Sequence, residues 1–278
     1  MENDKWQCRW SPTLGDLEET HQKVWGTIDY RDNEIDREKP AIFMGLYSLP
    51  DFYALWRHKG KKAILWCGSD ITRFDSGYWL DEKGELKMNH FAMSLWINKN
   101  CESYVENEVE QKALKDIGIE SKVVPSFLGD VKDYKLSFKP GNKVYTSVSG
   151  DNFELYGWHK IHKLARENLD IEFHLYGNTI PFLNSYNDNI IVHGRVPKRQ
   201  MNAEIKKMQG ALRLTEFDGF SEILAKSVLW GQHPISPFIK YEHMLTDVKD
   251  ILKIKSPNLE GRDYYLKTLN QYPWNQKK

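Results

Sequence analysis

Short apolar runs that end in glycine constrain this chain most. Ala41-Ile-Phe-Met44 runs into Gly45, Lys62-Ala-Ile-Leu-Trp-Cys67 into Gly68, Ile171-Glu-Phe-His-Leu-Tyr176 into Gly177, and Ile190-Ile-Val-His193 into Gly194. Runs of this length, bounded by turns and separated by helix-length stretches, read as strands of parallel sheets. Crossover helices cover both faces of such sheets, so the strands need not alternate in polarity. The fold class is therefore α/β. In that class ligands collect at the carboxyl ends of the strands, which is where the glycine turns lie.

Two such series follow one another. In the first, Ser48, Pro50 and Asp51 mark a helix start, Glu106 to Gly118 reads as a helix with Val109, Ala113, Leu114 and Ile117 on one side, and Ser121 to Val124 gives a further strand. The segment before residue 40 yields no clear element. A polar stretch with Asp130, Lys132, Asp133, Lys135, Lys139, Pro140 and Gly141 reads as a linker. Beyond it, Lys143 to Ser149 is a strand, Leu155 to Asn168 a helix, Lys198 to Met208 a helix, and Ala211 to Leu214 a strand. The expected division is a first domain over 1–128, a linker over 129–142, a second domain over 143–254 and a terminal segment over 255–278.

Charge and composition remove several function classes. The 278 residues carry 39 basic and 39 acidic side chains, so there is no global footprint for nucleic acid or an anionic membrane. No run of eighteen apolar residues occurs, and the start, with Glu2, Asp4, Lys5 and Trp6, lacks the pattern of a signal peptide; a cytoplasmic protein that does not span a membrane is expected. Cys8, Cys67 and Cys101 are odd in number and far apart, which disfavours disulfides and zinc. The ten Trp residues are mostly expected in the core. Asp-x-Asp, Gly-x-Gly-x-x-Gly and Gly-Lys-Ser/Thr are all absent, which argues against metal-held diphosphates, dinucleotide folds and phosphate loops. His159 and His162 share a helix face without an evident third ligand, and no metal site is expected.

The stretch from Arg213 to Ser236 carries the most chemistry. Asp218-Gly-Phe-Ser221 precedes an apolar helical segment: Ser221 stands at its cap position, Glu222 in its first turn, and Gly231 closes it. Amides at such a start favour an anion such as a diphosphate, and Gly219 permits close approach. The plain alternative is a buried helix entered through an Asp-Gly turn, with Ile223, Leu224 and Val228 facing a core and Glu222 paired to Lys226. An exposed pair at that spacing stabilises by only about 0.2–0.5 kcal/mol.

These residues resemble the donor-sugar loop of retaining GT-B glycosyltransferases: an acidic residue, a Gly-Phe-Gly or Gly-Leu-Ser turn, then Glu eight positions after the acid, in a helix ended by Gly. Asp218, Gly219, Phe220, Ser221 and Gly231 fall in register, whereas the place of the second Glu is taken by Lys226. The wider series of Tyr156-Gly157, Phe173-His-Leu-Tyr-Gly177, His193-Gly-Arg-Val196 and Arg213-Leu-Thr215 is similar to the nucleotide-sugar domain of that family. The first half resembles a shortened acceptor domain.

The resemblance implies a GT-B-like fold of two Rossmann-type domains with parallel sheets facing a cleft. It also implies sugar transfer from a nucleotide-sugar donor to a glycan or other hydroxyl acceptor, with no cofactor, no metal and retained configuration. Asp218 would hold sugar hydroxyls, with Glu216 as a second candidate. The turn Gly194-Arg195-Val196 would meet the base. Ser149 and Gly150 after the first strand, Gly177, and the helix start with Gly219, Phe220, Ser221 and Glu222 would meet the diphosphate and sugar, with Lys226 altering the nucleotide contacts. Gly45, Tyr47, Gly68 and Ser69 would face the acceptor, and the terminal segment would cross back onto the first domain.

Several side chains keep two readings. Asp70 follows a strand and a glycine turn, where it either binds an acceptor hydroxyl or caps the next helix. Arg195 either reaches phosphate or base or is solvated. His90 is a cleft residue or an ordinary loop histidine. Lys160 and Lys163 can neutralise phosphate, but the Arg/Lys pair usual after the first strand of the family is not recognisable. Two other functions remain in view: a non-catalytic nucleotide-sugar or glycan-binding module, suggested by Lys226, and a glycosyltransferase acting on modified DNA bases, which the balanced charge does not support.

Overall fold

A computed structural model of the chain describes residues 5–15, 24–77, 83–85, 89–148, 153–177, 187–215, 218–236 and 243–274. The chain divides into two units, one formed by Met1–Asp130 with Leu269–Lys278 and the other by Val131–Thr268.

In the first unit, strands β1 (Gln7–Trp10), β2 (Ile28–Asp29), β3 (Ala41–Met44), β4 (Lys62–Leu65), β5 (Glu102–Val105) and β6 (Lys122–Val123) form a parallel sheet in the order β2-β1-β3-β4-β5-β6. β3 and β4 are buried along their whole length, as expected of strands covered on both faces. On one face Phe43, Ile64 and Trp66 pack with Phe52, Leu55, Phe74, Ile97 and Leu114. These come from helices α1 (Leu49–Arg57), α3 (His90–Asn100) and α4 (Glu108–Asp116) and from the segment that follows the short α2 (Ser69–Thr72). On the other face Ile42, Leu65 and Tyr104 meet Trp25, Tyr272 and Trp274. The last two rings stack at 5.1 Å, and Tyr272 donates its hydroxyl to the Phe127 carbonyl at 2.8 Å. Tyr272 and Trp274 are thereby pinned into the first unit, whereas α8 (Leu259–Thr268) belongs to the second.

Three readings of the first half change. β1 was hidden because two of its four residues are polar and satisfied by partners: the buried Gln7 amide donates to the Asp36 carbonyl at 2.9 Å, and the half-buried Arg9 pairs with the buried Asp51 at 2.7 Å. α3 was missed because its apolar residues lie on opposite faces, Ile97 inward and Phe91 and Leu95 more than half exposed. His90 accordingly begins a helix, capped by Asn89, and is not a loop residue. In α4 the expected stripe is displaced: Val109 faces solvent, while Glu110 is buried and accepts the Glu106 amide at 2.7 Å.

The second unit contains β7 (Lys143–Val148), α5 (Trp158–Glu167), β8 (Glu172–Gly177), β9 (Ile190–Gly194), α6 (Lys198–Ile205), β10 (Gly210–Ala211) and α7 (Glu222–Leu229). Its sheet is parallel with order β10-β7-β8-β9, and bridges from Leu212 to Ile235 and from Ile235 to Leu245 extend it. Val144, Phe173, Leu212, Leu214 and Ile235 form the core with Ile161 and Ala165 of α5 and with Val248 and Ile251. α5 starts three residues later than the sequence suggests, because Gly157 takes the cap position at φ +70° and Leu155 stays exposed. The polar stretch read as a linker packs on this unit from residue 131 on: Tyr134 lies against Trp230, Ser137 donates to the Trp230 carbonyl, and Gln209 donates to the Lys139 carbonyl. Among the described residues no helix is long and apolar enough to cross a membrane.

Candidate functional site

The carboxyl edge of the second sheet gathers most of the donor-side candidates. β7 and β8 end in register at Val148 and Gly177. Gly177 sits at φ +101°, and a Cβ there would lie 1.9 Å from the Val148 carbonyl oxygen, so no side chain fits. Gly157 lies against Leu214, where a Cβ would meet the Leu214 side chain at 2.9 Å. Gly177 thus lets the ends of β7 and β8 meet, and Gly157 lets the start of α5 lie against the segment after β10. That segment presents Arg213. Its Nε donates to Asp218 Oδ2 at 2.6 Å, its guanidinium carbon lies 4.3 Å from the centre of the Tyr156 ring, and Nη1 reaches toward the Ser147 carbonyl at 3.5 Å. Arg213 is buried and Asp218 half-buried. The sequence reading assigns a role to Asp218 but places Arg213 only as the first residue of the Arg213-Leu-Thr215 series. The available signal was a basic residue inside the apolar run Ala211 to Leu214, five positions before the acid.

α7 follows the turn as expected, with two differences. Ser221 holds the cap position in extended backbone but makes no capping bond through its hydroxyl. Lys226 is enclosed rather than exposed, 3.7 Å from Glu222 one turn earlier. Burial lowers the Lys226 ammonium pKa, and Glu222 opposes that shift. Phe220 packs its ring on Tyr265 of α8 at 5.9 Å, so its side chain fixes the turn. Gly231 ends α7 at φ +79°, its amide bonding the Val228 carbonyl and the next amide, of Gln232, bonding the Ser227 carbonyl. Ser149, Gly150 and Glu216 lie outside the described residues.

At the end of β9, Gly194 is buried at φ +69°, Val196 is half-buried and Arg195 is exposed. Beneath this turn lies a polar array that the sequence did not reveal. His193 stacks on Tyr176 at 4.2 Å with the rings 5° from parallel, shares a 2.8 Å hydrogen bond with His174, and lies 3.6 Å from Glu204, which accepts the Tyr176 hydroxyl at 2.7 Å. Burial lowers both histidine pKa values. The signal was the two-residue spacing of His174 and Tyr176, which puts both on one face of β8.

The first unit gathers its own candidates at the ends of β3 and β4. Gly45 adopts φ +77° and leaves room for the Tyr47 ring, whose hydroxyl donates to the Cys67 carbonyl at 2.9 Å. Gly68 adopts φ +91° ahead of α2, where Ser69 is exposed. Asp70 is 0% exposed, and its two oxygens accept the amides of Leu46 at 3.0 Å and Cys67 at 2.9 Å. The carboxylate clamps the two turns together from below and is not presented to an acceptor. Burial raises its pKa to about 6 against the pull of those amides. Asp51 acts similarly at the start of α1, accepting from Arg9, Ser11, Ser48 and the Tyr47 amide.

Among the described residues no group of three His, Cys, Asp or Glu side chains is placed to hold a metal ion. His159 is exposed, and His162 lies against Trp158.

No protein-family model matches the chain, and no curated protein sequence does. Solved structures do. Sucrose-phosphate synthase from Thermosynechococcus elongatus aligns with a TM-score of 0.57 at 10% identity, over 83% of this chain and 69% of its own. HepE of Anabaena in complex with UDP-glucose aligns at 0.53 and 9% identity, over 96% of this chain and 99% of its own. A TarM variant from S. aureus, in complex with fondaparinux, α-GlcNAc-glycerol and UDP, aligns at 0.53 and 13% identity, over 86% and 52%. The chain thus spans about half the length of TarM. These likenesses show the fold: the chain has the α/β GT-B fold, built from two Rossmann-type units with parallel sheets.

Proposed function

We propose that the chain is a glycosyltransferase that moves a sugar from a nucleotide-sugar donor to a hydroxyl of a glycan or similar acceptor. The second unit would bind the donor. The observation that carries this reading is the acid turn Asp218 to Ser221, held by Arg213 at the carboxyl edge of a parallel sheet in a GT-B fold. Support comes from HepE, which matches over nearly its whole length and is described with UDP-glucose.

In this reading the amides at the start of α7, together with Arg213, stabilise negative charge on the departing diphosphate. Asp218, with Glu216 beside it in sequence, orients the sugar hydroxyls. The bond between the anomeric carbon and the phosphate oxygen breaks, the acceptor oxygen takes its place, and the hydroxyl proton leaves with the diphosphate. Retention of configuration, independence of metal and a cytoplasmic place belong to the same proposal, as does weak, salt-sensitive binding to unmodified DNA.

The test is a thermal-shift screen of uridine, guanosine and adenosine diphosphate sugars, because a ligand that binds only the folded chain raises its melting temperature. Donor hydrolysis and transfer are then measured with and without EDTA. A stabilising donor and turnover that survives EDTA are expected; strict dependence on Mg²⁺ or Mn²⁺ would sink the metal-free mechanism. One observation favours a second reading, a binding module without turnover: Lys226 is enclosed where the family pattern has Glu. Donor binding with neither hydrolysis nor transfer to any offered acceptor would select it.

A further inference from the structure

Arg213 and Asp218 form a pair whose presence packing alone does not explain. Replacing a buried ion pair by apolar residues of similar volume is often neutral or stabilising, so such a pair is weak evidence of a purely structural role. Here the cation comes from the segment after β10, lies on the face of Tyr156, and reaches toward the Ser147 carbonyl at the end of β7. It therefore stands at the end of the first strand of this unit and beside Asp218 of the acid turn. The basic pair usual after that strand is not recognisable in this sequence. Lys226 is engaged with Glu222 on the helix, and Lys163 lies on α5 near Glu167.

We propose that Arg213 is the diphosphate-binding cation of this chain and that Asp218 occupies it as an internal stand-in when no donor is bound. This inference rests on the nucleotide-sugar reading above. A guanidinium matches carboxylate and phosphate oxygens with the same fork of donors. A diphosphate carries more charge than a single carboxylate and repels it, so donor arrival transfers Arg213 from Asp218 to phosphate. Asp218 is then released to accept the neutral hydroxyls of the sugar. The exchange couples the two halves of donor recognition: the sugar-orienting acid becomes available only once phosphate is in place.

The experiment is calorimetric titration of the full chain, wild type and variants, with UDP, GDP and ADP, with their hexose conjugates, with their parent nucleosides and with inorganic pyrophosphate. Melting curves run beside each titration. Wild type is expected to prefer one nucleoside diphosphate over its nucleoside. Arg213→Gln should cut diphosphate affinity by about ten- to a hundredfold, the size of a lost charge-assisted bond, and leave the nucleoside unchanged. Arg213→Lys should recover some of the loss. Asp218→Asn should tighten UDP or pyrophosphate binding, because a competing anion is gone, while weakening discrimination among sugars. A merely structural pair moves diphosphate and nucleoside together with the melting temperature. If Arg213→Gln keeps the diphosphate preference, or if Asp218→Asn binds diphosphate no tighter than wild type, the exchange is overturned and the transferase reading stands. Should Arg213→Gln not fold, the Asp218→Asn titration decides alone. If wild type binds none of these nucleotides nor their sugars, the transferase reading itself falls.

Discussion

Both sheets end in a glycine-bearing acid turn, yet the two acids do opposite things. In the first unit Gly68-Ser-Asp70 turns its carboxylate inward, where it holds two backbone amides from the ends of neighbouring strands. In the second, Asp218-Gly-Phe-Ser221 leaves its carboxylate half-buried on a side chain, Arg213. Backbone amides fixed by a sheet cannot move away, so Asp70 belongs to the architecture. A guanidinium can change partner, so Asp218 can be recruited by a ligand. A carboxylate after a strand and a glycine is therefore not in itself a ligand group; what its oxygens already hold decides.

The largest effect that sharpens this contrast lies in the glycines. Gly177→Ala would press a methyl group into the Val148 carbonyl at the strand ends, whereas Gly45→Ala meets the Tyr47 ring, a side chain. Chemical denaturation should show Gly177→Ala losing on the order of 4 kcal/mol, more than Gly45→Ala. An equal or smaller loss would mean that the edge of the second sheet is more yielding than its register implies.

Next comes Asp70 itself. Asp70→Ala leaves the Leu46 and Cys67 amides without their carboxylate in a buried site and should cost about 3 kcal/mol. Its pH behaviour is more diagnostic. The folded pKa of Asp70 is raised to about 6, so the stability linked to it is present at low pH and is lost as pH rises through about 6. His58, buried beside Tyr30 and Phe43, has its pKa lowered to about 4. Its contribution is present above the ordinary histidine range and is lost as pH falls toward 4. The two oppose each other across the same window. Asp70→Asn should therefore show a melting temperature that climbs more steeply from about pH 4.5 to about pH 6.5 than that of wild type. An unchanged slope would remove Asp70 from the titration.

A smaller effect concerns Lys226. Lys226→Glu puts a carboxylate one turn from Glu222 in an enclosed place and should cost about 2 kcal/mol. Lys226→Met removes the buried charge and should stay within about 1 kcal/mol of wild type. If Lys226→Glu is silent in both stability and nucleotide affinity, the side chain is solvated and the enclosed pair is wrong.

What the sequence made legible follows the same physics. Fully buried strands such as β3 and β4, and glycines forced by backbone approach such as Gly177, announce themselves because apolar runs and missing side chains leave direct marks. The acid turn and the helix ended by Gly231 were legible for the same reason. The rest depends on partners distant in the chain. β1 was hidden because Gln7 and Arg9 are paired with Asp36 and Asp51, and the burial of Asp70 because Leu46 lies 24 positions away. Arg213 carried no assigned role because a lone arginine in an apolar run shows no partner until Tyr156 and Asp218 are seen around it.

The most direct test of the contrast between the two acids is turnover per folded molecule of Asp218→Ala and Asp70→Ala, measured on one nucleotide-sugar donor below the melting temperature of both. Asp218→Ala should fall more than about tenfold, the effect of losing a charged hydrogen bond to the sugar, while Asp70→Ala stays close to wild type and differs only in stability. Near-normal turnover in Asp218→Ala, or a loss confined to Asp70→Ala, would contradict the account.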